Sequence, residues 1–173
     1  MCAFDDLAYR INSQGKDIRN LGRWSYFSTL GGNNLKTTFV TCYCPVKSSN
    51  PGSAYSQQLT YMANNRSSLD SALMCPRQLF GQDLSILLND CMNLGHQIVL
   101  SGDFNLEYSD LCQYMLQFGL VDLIAERHGA CPNTYNRSKN SPLDIIFGSL
   151  HLQPKKAATY HLGYSLEIIV AYG

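Results

Sequence analysis

Ile98-Val99-Leu100-Ser101-Gly102-Asp103-Phe104-Asn105 decides the reading of this chain. An apolar, β-branched run meets a glycine and delivers an Asp and an Asn, two residues apart, into whatever follows. Side chains two apart at a strand end point the same way, so the carboxylate of Asp103 and the amide of Asn105 are expected to face one reacting group. The pair suits metal-assisted phosphoryl chemistry: an Asp orients a nucleophilic water or touches a hard cation, and an Asn donates to a phosphate oxygen without adding repulsive charge. An ordinary strand followed by a Gly-Asp turn carries the same local signature, so the motif needs company.

Two other segments supply it. Thr38-Phe39-Val40-Thr41-Cys42-Tyr43-Cys44-Pro45 is a second apolar strand, broken by a proline, and Pro142-Leu143-Asp144-Ile145-Ile146-Phe147 is a third, with a carboxylate among apolar residues. Each sets one polar group at or near the end of a buried strand, where a purely structural strand has least use for one.

Around these three strands the chain alternates strand and helix. Arg23 to Leu30 and Lys36 to Tyr43 read as a hairpin across Gly31-Gly32-Asn33-Asn34. Tyr55, Leu59 and Met62 recur at helical spacing, and so do Phe80, Leu84, Leu87, Leu88 and Cys91 between Arg77 and Leu94, with Pro76 at the start and Gly95 at the end. Asn64 to Ser71 is polar and reads as a connecting loop. Helices follow near Ser109 to Phe118, ended by Gly119, and over Leu120 to His128, ended by Gly129. A strand over Leu143 to Phe147 and an apolar run from Leu166 to Tyr172 complete the pattern. Strands with intervening helices are compatible with two packed sheets covered by helices.

Composition bounds the rest. A length of 173 residues fits a single domain over 1–173, and 45% hydrophobic with 15% charged residues is globular composition. No apolar run approaches the roughly 20 residues of a membrane span, and Met1-Cys2-Ala3-Phe4-Asp5-Asp6 lacks the pattern of a secretory leader; the expectation is a soluble intracellular protein without a membrane partner. Seven cysteines with no Cys-x-x-Cys pair fit free thiols in a reducing compartment better than a disulfide framework or a zinc site. The formal net charge of zero counts against generic binding through phosphates, so any nucleic-acid contact is expected to be local, at Tyr135, Arg137 and Lys139.

From about Asp17 to about Ser149 the chain resembles the endonuclease/exonuclease/phosphatase superfamily, and most closely the endonuclease domain encoded by non-LTR, LINE-like retrotransposons. The likeness rests on the three strands and on Leu21-Gly22-Arg23-Trp24-Ser25-Tyr26, Cys44 to Gly52, Gln97 to Asn105, Glu126-Arg127-His128-Gly129 and Thr134-Tyr135-Asn136-Arg137. The resemblance implies a four-layer α/β/β/α sandwich with its site in loops at one end, metal-dependent phosphodiester hydrolysis with Mg or Mn, and nucleic acid, in particular DNA, as partner, with the nucleus as place of action. Residue by residue, it makes Tyr43 the contact to the scissile phosphate, Asp103 the group that orients or deprotonates the attacking water, and Asn105 the holder of the phosphate. Asp103 and Asn105 are then the metal-facing oxygens, Asp144 the partner of a catalytic histidine, and Tyr135 and Arg137 nucleic-acid contacts.

The departures shape the expectation equally. The family carries an early Asn and a metal-binding Glu, whereas the glutamates here are Glu107, Glu126 and Glu167, all after Tyr43. With Ile168-Ile169-Val170 on the family's last strand, Ser165 and Leu166 stand where an Asp-His pair belongs, and His161 lies a few residues early. The sandwich is therefore expected to be incomplete, the activity weak or lost as in a pseudoenzyme, and the chain prone to self-association through exposed strand edges. An active magnesium-dependent nuclease or phosphatase with other ligands, and a non-catalytic interaction module, stand as the alternatives.

Overall fold

The computed structural model describes residues 6–69, 75–130, 142–150, 152, 156–159 and 166–169. After a single helical turn, α1 (Asp6–Tyr9), come β1 (Ile11–Lys16), β2 (Trp24–Leu30) and β3 (Lys36–Tyr43). Helices α2 (Ala54–Asn64) and α3 (Pro76–Asn93) carry the chain across to β4 (Gln97–Asp103). Then follow α4 (Tyr108–Leu116), β5 (Leu120–Asp122), α5 (Leu123–His128), β6 (Asp144–Ser149), β7 (Lys156–Thr159) and β8 (Leu166–Ile169).

Six strands form one mixed sheet in the order β1-β2-β3-β4-β6-β5, and β7 and β8 form a separate two-stranded sheet. Among the described strands β3 and β4, joined by the long crossover that carries α2 and α3, run parallel and the other pairs are antiparallel. The fold is thus mixed α/β with helices on an open sheet, as the alternation of patterns implied. The strands between Arg23 and Phe147, however, lie in one sheet rather than two.

Alternation along the strands gives the sheet two cores. Val40, Cys42, Ile98, Leu100, Ile145 and Phe147 point to one face and pack under Phe80, Leu84 and Leu88 of α3 and Leu111 and Met115 of α4. Phe27, Phe39, Val99 and Ile146 point to the other, against Leu123 and Ile124 of α5. The apolar stripe that marks α3 in the sequence is this buried face, begun by Pro76 at the first helical position and ended by Gly95 at φ 69°.

Several elements differ from the sequence reading. The run Leu120 to His128 is not one helix, because Leu120–Asp122 pairs with β6 and Asp122 caps α5, its Oδ1 accepting from the backbone N–H groups of Ile124 and Ala125 at 2.8 and 3.1 Å. In α2, Tyr55 and Met62 are buried but Leu59 is exposed, and the polar Gln58 is buried instead. The polar strand β1 and the strand β7 carry no apolar alternation and went unread. At the sheet's outer edge, β1 is kinked between Ile11 and Ser13 and carries Lys16, two features that blunt pairing with another chain. Among the described residues no helix is long and apolar enough to cross a membrane.

Candidate functional site

Register builds the site. In the parallel pair β3 and β4, Tyr43 lies opposite Asp103, and in the antiparallel pair β4 and β6, Asp103 lies opposite Asp144. Directly opposite residues share a face, so side chains from three neighbouring strands form one row at one end of the sheet. The row continues the face of Phe39, Val99 and Ile146. Tyr43 is 39% exposed, Asp144 is exposed and Asp103 is half-buried between them.

The close approach of β3 to β4 explains the glycine before Asp103. A Cβ on Gly102 would stand 2.0 Å from the Cys42 carbonyl oxygen and 2.8 Å from its Sγ, so no other residue fits without moving a strand. Beyond the last rung, the Cys44 N–H donates to the Asp103 carbonyl at 2.9 Å and the Phe104 N–H to the Leu143 carbonyl at 3.0 Å. Phe104 is fully buried edge-on to Phe147, with ring centroids 5.6 Å apart, and this anchors the turn out of the strand.

Asn105 departs from the sequence reading. The strand ends at Asp103, and Asn105 sits in the left-handed region at φ 49°, so the period-two argument does not carry its side chain alongside Asp103. Its Nδ2 donates to the Cys44 carbonyl at 3.0 Å, tying the ends of β3 and β4 together, while the residue stays close enough to act on the Asp103 carboxylate.

Burial pushes the Asp103 carboxyl above its ordinary range; hydrogen bonding from Asn105 opposes this and the Asp144 charge adds to it. Its Oδ1 is buried without a hydrogen-bond partner. A carboxylate so placed holds a proton more readily than a solvated one. The neighbouring thiols are the reverse of reactive: burial pushes Cys44 up to about 12, and Cys42 moves in the same direction for the same reason.

Sequence reasoning missed a buried ion cluster at the same end of the sheet. Arg23 donates through Nε and Nη2 to both oxygens of Asp17 at 2.7 Å and through Nη2 to Asp83 Oδ2 at 2.7 Å. Arg19 closes on Asp83 from outside at 2.6 and 3.1 Å. The Arg23 side chain is fully buried, with its guanidinium 4.6 Å from the centre of the Trp24 ring. The signal was present in α3, where Asp83 falls between Phe80 and Leu84 on the buried stripe, a position that demands a cationic partner.

Tyr135, Arg137 and Lys139 lie outside the described residues, as do His161 and Ser165; Leu166 is the first residue of β8. Among the described residues, no group of three or more His, Cys, Asp or Glu side chains is gathered to hold a metal ion.

Solved structures similar to this chain include the Xenopus laevis APE2 catalytic domain, at 16% identity over 79% of this chain and 49% of that one, with a TM-score of 0.47. The human Nocturnin catalytic domain with bound sulfate is similar at 15% identity over 76% of this chain and 42% of that one, TM-score 0.47. No protein-family model matches the sequence, and no curated protein does. The chain spans about half the length of the solved structures it matches, which also include an endonuclease/exonuclease/phosphatase family protein from Bacteroides thetaiotaomicron at 15% identity over 81% of this chain and 51% of that one, TM-score 0.44.

Proposed function

We propose that this chain carries the phosphate-facing part of a metal-dependent phosphodiesterase site of the endonuclease/exonuclease/phosphatase type, in the manner of a retrotransposon endonuclease acting on DNA in the nucleus. One observation carries the reading: Tyr43, Asp103 and Asp144 stand opposite one another on three adjacent strands, with Asn105 at the same end. A sheet gains no packing from a carboxylate, a carboxylate and a phenol in one row, whereas phosphoryl transfer uses all three.

In this reading Asp103 takes a proton from, or orients, the attacking water, and its burial strengthens its hold on that proton. The half-exposed phenol of Tyr43 donates to charge developing on a phosphate oxygen. Asn105, restrained through Cys44, is the proposed holder of the phosphate at the same end of the sheet. Asp103 and Asn105 would hold a magnesium or manganese ion, the buried Oδ1 of Asp103 having no hydrogen-bond partner to displace. When bound, such an ion supplies neutralisation of the phosphate. One carboxylate and one neutral oxygen make a sparse site, no glutamate precedes Tyr43, and Ser165 and Leu166 stand where the family has its Asp-His pair, so hydrolysis by this chain alone is expected to be weak or absent. Tyr135 and Arg137 are the proposed nucleic-acid contacts.

The test is binding and turnover on one preparation. Purified chain with Mg²⁺ or Mn²⁺ is expected to bind a short DNA duplex, with Asp103→Asn and Tyr43→Phe each weakening it, and to leave supercoiled plasmid unnicked above background. Binding indifferent to both substitutions would overturn the site. Nicking abolished by Asp103→Ala would overturn the weak-activity reading in favour of an active nuclease.

A further inference from the structure

We propose that Arg23, held between Asp17 and Asp83, is a positioning residue for Tyr43, a role that rests on the phosphodiester reading above. The link is a backbone one: the Arg23 carbonyl accepts the Tyr43 N–H at 2.7 Å, the rung beyond the Trp24 and Cys42 pairing and the last that β3 makes on that side. Where the Arg23 carbonyl stands therefore decides where Tyr43 stands, and Tyr43 in turn faces Asp103.

The bonds to the Arg23 backbone N–H, Nε and Nη2 hold that carbonyl in place, Nη1 alone having no partner. Asp17 gathers the turn from 17 to 23, accepting from the backbone N–H groups of Arg19 at 3.0 Å, Leu21 at 3.1 Å and Arg23 at 3.4 Å as well as from the guanidinium. The turn contains two residues at positive φ, Asn20 at 56° and Gly22 at 71°, a path that hydrogen bonds hold and apolar packing alone does not. Asp83 then ties the assembly to the middle of α3. A buried ion pair is often replaced by apolar side chains at no loss of stability, so stability alone is weak grounds for such a cluster. Directional bonds are what an apolar replacement cannot supply. At the opposite end of the sheet a neutral chain of Ser28, Thr38 and His96, with contacts of 2.9 Å, links the same strands without any buried charge.

The experiment uses the full chain with two variants, Arg23→Lys and the pair Arg23→Met with Asp83→Leu, which removes opposite charges together. In ligand-free protein, amide exchange at Tyr43 is expected to speed up at least about tenfold more than at Val40 in mid-strand. The Tyr43 ring resonance should also shift in both variants. With Mg²⁺ and a labelled DNA duplex, affinity should fall about tenfold while folding is retained. Equal acceleration at Tyr43 and Val40, or variants that fold with an unchanged Tyr43 resonance, would reduce the cluster to a structural role and overturn the proposal. If the double variant does not fold, Arg23→Lys decides the matter by the same two resonances. Wild-type protein that fails to bind the duplex would sink the phosphodiester reading instead, and the exchange comparison would still decide the positioning of Tyr43.

Discussion

Replacing Gly102 with alanine tests whether the distance between β3 and β4 is what sets the site. The added Cβ meets the Cys42 carbonyl oxygen at 2.0 Å, where an ordinary contact begins at 3.4 Å, so the strands must part by more than an ångström. Hydrogen-bonded strands run about 4.8 Å apart, and opening them this far carries an N–H···O distance past 4 Å, where the bond no longer exists. Losing about two rungs at roughly 1 kcal/mol each, with an overpacking cost of about 1–3 kcal/mol, gives about 3–5 kcal/mol of destabilisation. For a chain of this length that lowers the melting temperature by roughly 6–20 °C. Urea unfolding followed by circular dichroism should show a lower midpoint at an unchanged slope. Gly119→Ala is the control: at φ 64° with nothing within 4 Å of the new Cβ, it tests backbone strain without a clash, at a cost near about 1 kcal/mol. A Gly102→Ala midpoint equal to wild type would refute the close-approach argument, and with it the reason given for a glycine beside Asp103.

Asp103→Asn should stabilise the protein at pH 7. Because burial raises the folded pKa of Asp103 above its ordinary 3.8, the folded state binds the proton more tightly, so its contribution is full below that value and is lost as pH rises through the raised one. The margin of the variant over wild type, read from urea midpoints, should therefore shrink as pH falls towards 3; a margin that ignores pH would contradict the shift. Asp17 should behave oppositely: burial pushes its carboxyl up, but the Arg23 side chain and the backbone N–H groups of Arg19 and Arg23 together hold it below its ordinary value, so its contribution is lost as pH falls through that lowered value. Cys44, pushed up to about 12 by burial, and Cys42 beside it should resist a disulfide-exchange reagent at pH 8 in folded protein and react fully in denaturant, as a thiol count before and after unfolding will show.

The central strands and the polar residues that end them are legible in the sequence because they are written in short periods. Ile98 to Leu100, Thr38 to Cys42 and Ile145 to Phe147 are unbroken apolar runs, and a polar residue that ends such a run declares itself without knowledge of the partner strand. What brings Tyr43, Asp103 and Asp144 opposite one another is register, which depends on residues about 60 and 40 positions away in sequence and leaves no local mark. The same limit hid the Arg23 cluster, whose partners Asp17 and Asp83 sit on a turn and a helix. Leu120 to His128 was misread for another reason. Three residues of strand running into a six-residue helix have too little length for either period to show, and the capping role of Asp122 becomes visible only once α5 is placed.

The sign of the Asp103 shift bears on what the row is for. A half-buried carboxylate with an unpartnered oxygen, set opposite a second carboxylate, costs the folded state stability at neutral pH, and Asn105 only partly offsets it. Across the sheet the same fold handles charge differently: Asp17 and Asp83 are buried more deeply, yet each is matched by arginine or by backbone N–H groups. Those two carboxylates are matched on both oxygens, whereas Asp103 keeps its Oδ1 without a hydrogen-bond partner where β3, β4 and β6 lie side by side. Structural economy alone does not account for such a residue, which is why Asp103 stands at the centre of the proposed site.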